Sequence, residues 1–283
     1  MIRELDEKIG WEIENKNVFS GDQIGLEKVI GYKAIIRNDD GSVLSVMKTS
    51  YSPMTNTEYL DIVAKIQEIS GFRLAGFNEF KGGRKVLGFL ENTRKDFYIG
   101  THKIKDYLIL GNSFDGSTSF FTGTSTVLIR CQNQFSQIIE LNKIRHTKKI
   151  KTKLDEYYAY LDFYFNKRDE LYKTFERIGN IKLTEELQEQ MINFVLGVKK
   201  VTAEELSTRK QNQIELLRTN IVTEMKELGD NLWGAFNGVT KYTTHEITPR
   251  NPVFGNLFGS QADINNRALA FVEERLSLET ALA

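Results

Sequence analysis

The residues that could carry chemistry begin in the stretch LIRCQNQFSQIIELNKIRHTKK, Leu128 to Lys149. It holds Cys131, the single cysteine of the chain, and His146 lies fifteen positions further on. A Cys and a His can form a thiol nucleophile, but the thiolate needs a base beside it and usually a helix N-terminus to lower its pKa. Nothing in the spacing sets the two side by side, and none of the local contexts of nucleophilic cysteines surrounds Cys131. A small buried Cys closing a strand is the expectation. His102, His146 and His245 are far apart and form no H-x-x-x-H or H-x-H spacing, so no metal is expected. The sequence NSFDGS, Asn112 to Ser117, offers oxygen ligands but lacks the acidic spacing and closing Glu of a calcium loop. It reads as a hairpin turn. Gly82-Gly83-Arg84-Lys85 lacks the phosphate-loop pattern. No catalytic residue and no cofactor is expected, and the chain reads as a non-enzyme.

Charge gives a stronger signal. Lys143, Arg145, Lys148, Lys149, Lys151 and Lys153 fall within eleven residues, with no Asp or Glu between Leu141 and Leu154. The whole chain balances 38 basic against 38 acidic residues. That excludes a histone-like protein but leaves room for a local cationic patch. Arg84-Lys85 and Arg94-Lys95 are further basic spots in turns, interleaved with Phe80, Phe89, Phe97 and Tyr98. A single strand of nucleic acid needs cations for its phosphates and flat surfaces for its bases. The candidate nucleic-acid contacts are therefore Arg84, Lys85, Arg130, Asn133, Lys143, Arg145, His146, Lys148, Lys149 and Lys151. The plainer alternative is a solvated basic face, with the aromatics in a sheet core.

The elements that must position these residues follow from periodicity and turn chemistry. At 283 residues, 40% hydrophobic and 27% charged, the chain suits one large domain or two modest ones. Residues 1–30 show no clear period. Two strand-like runs then flank Asn38-Asp39-Asp40-Gly41, a hairpin signal. Leu60, Val63, Ile66 and Ile69 lie at helical spacing, with Thr55 or Thr57 as N-cap and Gly71 as stop. A second strand region turns at Gly82-Gly83, Gly111-Asn112, Asp115-Gly116 and Gly123, which makes about six strands before Asn133. From Gln134 the chain reads as helical: a short segment to Leu141, then a long helix opened by a Thr152/Asp155 capping box. Further helices are expected after Thr184, Thr202 and Asp230, and a last one near NNRALAFVEERL. The fold class expected is α+β, a mainly antiparallel sheet with a backing helix in residues 1–150 and a helical region in 151–283 packed on it. The aromatic stripe from Leu154 to Phe175 exceeds what one neighbouring helix covers, so a homo-oligomer is expected. No apolar run reaches the roughly 20 residues that span a bilayer, and the first residues lack a signal-peptide core. A cytoplasmic protein without a membrane partner is the expectation.

Several stretches also resemble a known family. YSPMTNTEYL, GGRKVLGFL, YLILGNSFDGSTSF, VLIRCQNQF, IRHTKKI and DNLWGAFNGVTKYTTHE occur in the order found in the phage/plasmid-like protein family catalogued as domain of unknown function 932. The resemblance runs from about Tyr51 to His245. Phe114 stands where a His is expected, which speaks against catalysis at that turn. The resemblance implies a phage, prophage or plasmid origin, hence a host-cell cytoplasm, and assigns no activity. A fold-level analogy connects a small sheet backed by a helix to the phage single-strand annealing proteins. The function expected is single-stranded DNA binding that promotes strand annealing and recombination without ATP. The alternative is a non-enzymatic interaction factor, such as a host-defence inhibitor or a virion-associated subunit.

Overall fold

The computed structural model describes residues 9–22, 25–93, 97–128, 134–138, 143–147, 150–198, 206–247 and 252–282. It is an α+β structure, about 48% helix and 30% strand. By density of contact the chain divides into two compact units. One is made of Met1–Lys95, Tyr107–Thr124 and Ile138–Tyr164; the other of Asp96–Asp106, Ser125–Gln137 and Phe165–Ala283.

The first unit opens with a three-stranded antiparallel sheet in the order β1 (Ile13–Gly21), β2 (Leu26–Arg37), β3 (Val43–Lys48). The β2–β3 hairpin forms where the Asp-Gly pair predicts it, because Gly41 adopts φ 73° and its N–H closes on Arg37 O at 3.1 Å. The first strands lie in a region without a clear apolar period. One face of this sheet packs on the body through Ile35, with Trp11, Leu44, Val86 and Phe114, while on the other face Ala34 and Ile36 are buried and Tyr32, Val43 and Val46 are exposed. Helix α1 (Asn56–Ile69) follows, and Thr55 and Glu58 complete a reciprocal capping box at its start. It buries Tyr59, Ile62, Val63 and Ile66. Ile69, expected on the apolar stripe, is exposed, because the helix is rotated so that Tyr59 faces the sheet. The Tyr59 hydroxyl donates to Leu110 O at 2.8 Å.

That sheet is β4 (Phe72–Phe80), β5 (Lys85–Asn92), β7 (His102–Ser113) and β8 (Phe121–Leu128), in the order β4-β5-β7-β8. Gly82 and Gly83 make the β4–β5 turn with φ 67° and 86°. Gly111-Asn112 and Gly123, expected as turns, lie inside β7 and β8. The reason at Gly111 is steric. A Cβ there would sit 2.0 Å from the Phe121 ring, so this glycine serves close packing rather than a bend. Helix α2 (Ile150–Ala159) starts ahead of Thr152, so the expected capping box is not its N-terminus.

In the second unit β6 (Phe97–Ile99) pairs with the start of β7, and β9 (Gln134–Ile138) adds to β8. The helix expected from Gln134 is this strand. Its few residues are too short for periodicity to decide, and pairing with β8 settles the matter, with Ser136 Oγ donating to Ser125 Oγ at 2.9 Å. Helix α3 (Leu161–Ile178) is separate from α2, with a break at Tyr160. Helices α4 (Glu185–Leu196), α5 (Thr208–Leu228), α6 (Leu232–Lys241), α7 (Pro252–Phe258) and α8 (Ser260–Leu282) complete the unit. Thr184 caps α4 as expected. Ser207 and Asn231 take the N-cap positions of α5 and α6. Phe135, Phe175, Trp233 and Phe236 form the aromatic centre of the core.

The aromatic stripe meant to meet another subunit is largely consumed within the chain. Tyr157, Leu161, Tyr164, Tyr172 and Phe175 are buried, while Tyr160 and Phe163 stay exposed. Among the described residues no helix is long and apolar enough to cross a membrane.

Candidate nucleic-acid interface

The centre of the candidate site is the turn that follows β7. Ser113 ends the strand opposite Lys85, and Phe114 N–H donates to Arg84 O at 2.8 Å, so the basic β4–β5 turn is fixed beside it. Gly116 has φ 69°, which only glycine adopts without strain. Asp115 Oδ1 accepts from Ser117 N–H at 3.0 Å and from the Ser117 hydroxyl, closing an Asx turn. Ser45 Oγ on β3 donates to Phe114 O at 2.6 Å.

Tyr51 ties this turn to a distant segment. Its hydroxyl accepts from Gly116 N–H at 3.1 Å, lies 3.1 Å from Ser113 O and lies 2.8 Å from His146 Nδ1. The hydroxyl has one proton. It goes to Ser113 O while Nδ1–H donates to Tyr51, or it goes to Nδ1. Both arrangements satisfy Nδ1, and neither gives Nε2 a partner among the described residues. Burial pushes the His146 pKa down to about 4, only partly offset by Asp115, so the ring is neutral at pH 7. Burial likewise pushes the Tyr51 phenol up to about 12, against the hydrogen bonds from Gly116 and to Ser113.

The segment around His146 alternates like a strand. Ile144 and His146 are buried, and Lys143, Arg145 and Thr147 are exposed. Ile144 forms an antiparallel bridge with Phe120, with bonds of 2.8 and 3.1 Å. The bridge and the Tyr51 bond hold the segment at both ends of the alternation. Lys85 is 6% exposed, and burial lowers its pKa while Asp115 raises it. Arg84 is exposed.

The structure thus gathers Arg84, Lys85, Arg145 and His146 about one turn, with Lys143 beside the Phe120 bridge. Two of them face solvent, Arg84 and Arg145, and two are built into the fold, Lys85 and His146. Arg130, Asn133, Lys148 and Lys149 lie outside the described residues, as do Cys131 and the Arg94-Lys95 spot; Lys151 is on α2 and its side chain is outside the description. Of the aromatics proposed as stacking surfaces, Phe80 is buried, Phe89 is half-buried and Tyr98 is exposed. Tyr51 and Ser45 were not singled out from the sequence, although Tyr51 opens one of the quoted motifs. Among the described residues no three His, Cys, Asp or Glu side chains stand together as a metal site.

A family model covers residues 43–269, most of the chain. The chain belongs to the family described as Domain of unknown function (DUF932). The DUF932 span includes Tyr51, the Asn112–Ser117 turn and the Arg145-His146 pair, and it leaves β1 and all of β2 outside. Neither the curated proteins nor the solved structures give a match.

The second unit holds a cavity of about 620 Å³ floored by Phe194, Ile214 and Phe271. Its cations are already engaged: Arg218 with Glu189 at 2.7 Å, and Arg275 with Gln190 at 2.6 Å.

Proposed function

We propose that this protein binds single-stranded DNA through the surface around the turn that follows β7, residues 114–117, and promotes strand annealing without ATP, as a protein of a mobile element acting in its host's cytoplasm. One observation carries the reading. Basic residues about sixty positions apart in sequence, at 84–85 and 145–146, meet at one turn that is locked by Tyr51. Cations on an ordered rim lose less side-chain and backbone entropy on meeting a phosphate than cations on a loose tail. Arg84 and Arg145 supply the exposed guanidinium groups, which hold phosphate bidentately and stack on bases. Lys85 and His146 set their positions.

The test is a titration of labelled single-stranded DNA at two salt concentrations. Arg84→Ala with Arg145→Ala should leave folding intact, because both side chains are exposed. It should weaken binding by a similar factor for every sequence and flatten the salt slope by about 0.7 for each phosphate that the variant no longer neutralises. An unchanged slope would refute the assignment. The reading of the chain as a protein-interaction factor is favoured by a different observation: Tyr32, Val43 and Val46 are exposed apolar side chains on one face of the first sheet. Absence of any DNA binding at low salt would leave that reading in place.

A further inference from the structure

The edge of the first sheet carries a pattern that the proposed DNA surface does not explain. Asn38 N–H donates to Glu12 O at 3.0 Å, which fixes the phase of the β1–β2 ladder. With Glu12 turned toward β2, the backbone groups of Glu14 and Lys16 also face β2, in register with Ile36 and Ala34. The opposite side of β2 agrees with this phase, since Arg37 N–H donates to Ser42 O on the β3 side. The N–H and C=O groups of Ile13, Asn15 and Asn17 therefore point away from the sheet, and among the described residues β1 pairs with β2 alone. Such an edge is a template for another strand.

The side chains on that edge favour one strand in particular. Glu14 and Lys16 flank Asn15, share the solvent face and are each more than half exposed, 3.6 Å apart. Consider a second copy of β1 laid antiparallel on the first, with the two-fold axis at Asn15. The outward backbone groups then meet only one another: Asn15 with the partner's Asn15, and Ile13 with the partner's Asn17. In the same register each Glu14 stands directly opposite the partner's Lys16, at the pair positions where side chains approach closest. A shift of one residue would set outward backbone groups against inward ones. Backbone phase thus excludes odd shifts, and charge order selects this register among those that remain.

We propose that two copies of this protein associate through their β1 edges, in an antiparallel pair centred on Asn15, to form one continuous six-stranded sheet. The occupant is a second copy because the edge is self-complementary in both backbone and charge, the condition for a two-fold interface. The surface lies outside the DUF932 span.

Sedimentation of the full chain tests this with a charge swap. Lys16→Glu sets two Glu–Glu pairs across the axis, and Glu14→Lys two Lys–Lys pairs. Each should raise the dimer dissociation constant by about tenfold or more, and the double variant Glu14→Lys/Lys16→Glu should restore it. A fold defect would not be rescued in this way. In a Cys131→Ser background, Asn15→Cys should give a disulfide-linked dimer on oxidation. The Cα separation of such a hydrogen-bonded pair is about 5.5 Å, within disulfide range. Ser20→Cys, which falls opposite the partner's Gly10, should give no disulfide-linked dimer under the same conditions, although the chains still associate. A wild-type chain that remains monomeric at micromolar concentration, or a dimer indifferent to Lys16→Glu, would overturn the proposal.

Discussion

His146 should make the stability of this protein depend on pH in a definite window. The ring is 7% exposed, and burial lowers its folded-state pKa to about 4 against the ordinary 6.5. The unfolded chain therefore binds the proton more readily. Stability from the neutral ring is fully present above about pH 6.5 and is lost as pH falls toward 4. The full span corresponds to about 3 kcal/mol, of which about 2 kcal/mol is gone by pH 5. Against a total of roughly 5–15 kcal/mol for a domain this is a large share. Urea unfolding of wild type and His146→Gln between pH 7.5 and 5 reads the effect. The variant starts less stable, because Tyr51 loses its 2.8 Å partner. Its stability should then fall less steeply with pH, so that the gap between the two proteins narrows by about 2 kcal/mol at pH 5. Parallel curves would refute the reasoning, since they would mean that His146 titrates alike in both states.

Two further perturbations probe the frame that holds the turn. Gly111→Ala places a methyl 2.0 Å from the Phe121 ring and 2.8 Å from Leu87 Cδ2. Both neighbours are buried, so thermal or urea unfolding should show a loss of about 3 kcal/mol, and an unchanged midpoint would show that the strands separate freely there. Thr55→Ala removes half of the capping box at the start of α1 and should cost about 1 kcal/mol by the same measurement. A loss below a few tenths would mean that the helix start is held by Glu12, whose carboxylate accepts from Thr57 N–H at 2.7 Å.

The elements that were legible in the sequence are those decided by nearby residues. Asp-Gly at 40–41, Gly-Gly at 82–83 and Asp-Gly at 115–116 are turns because their glycines take positive φ, a local requirement. Thr55 and Thr184 cap helices for a reason contained within four residues. Gly111 misleads because its reason is Phe121, a neighbour only after β7 and β8 pair. Gln134–Ile138 misleads in the same way, as a strand defined by β8. The site divides along the same line. Arg84, Lys85, Arg145 and His146 stand out in the sequence as separate basic spots. Their meeting depends on Tyr51, which reaches Ser113 across 62 positions and His146 across 95. No periodicity carries that information.

The alternation from Lys143 to Thr147 explains why the cations of this segment are displayed and its imidazole is buried. A strand-like segment sends successive side chains to opposite sides, so the bridge that anchors Ile144 at Phe120 also turns His146 inward and Lys143 and Arg145 outward. A one-residue slip would reverse the assignment and bury Arg145 without a partner, at a cost of several kcal/mol. Tyr51 opposes that slip, because its hydroxyl meets the ring nitrogen of position 146 at 2.8 Å and a slip breaks that bond. The neutral imidazole is suited to this post. It accepts burial at modest cost, whereas a lysine or arginine would need a counter-charge in the same place. The carboxylate whose charge acts on the ring, Asp115, is already engaged with Ser117. Burying the basic residue that sheds its proton most readily is what leaves the guanidinium beside it facing outward on a fixed backbone.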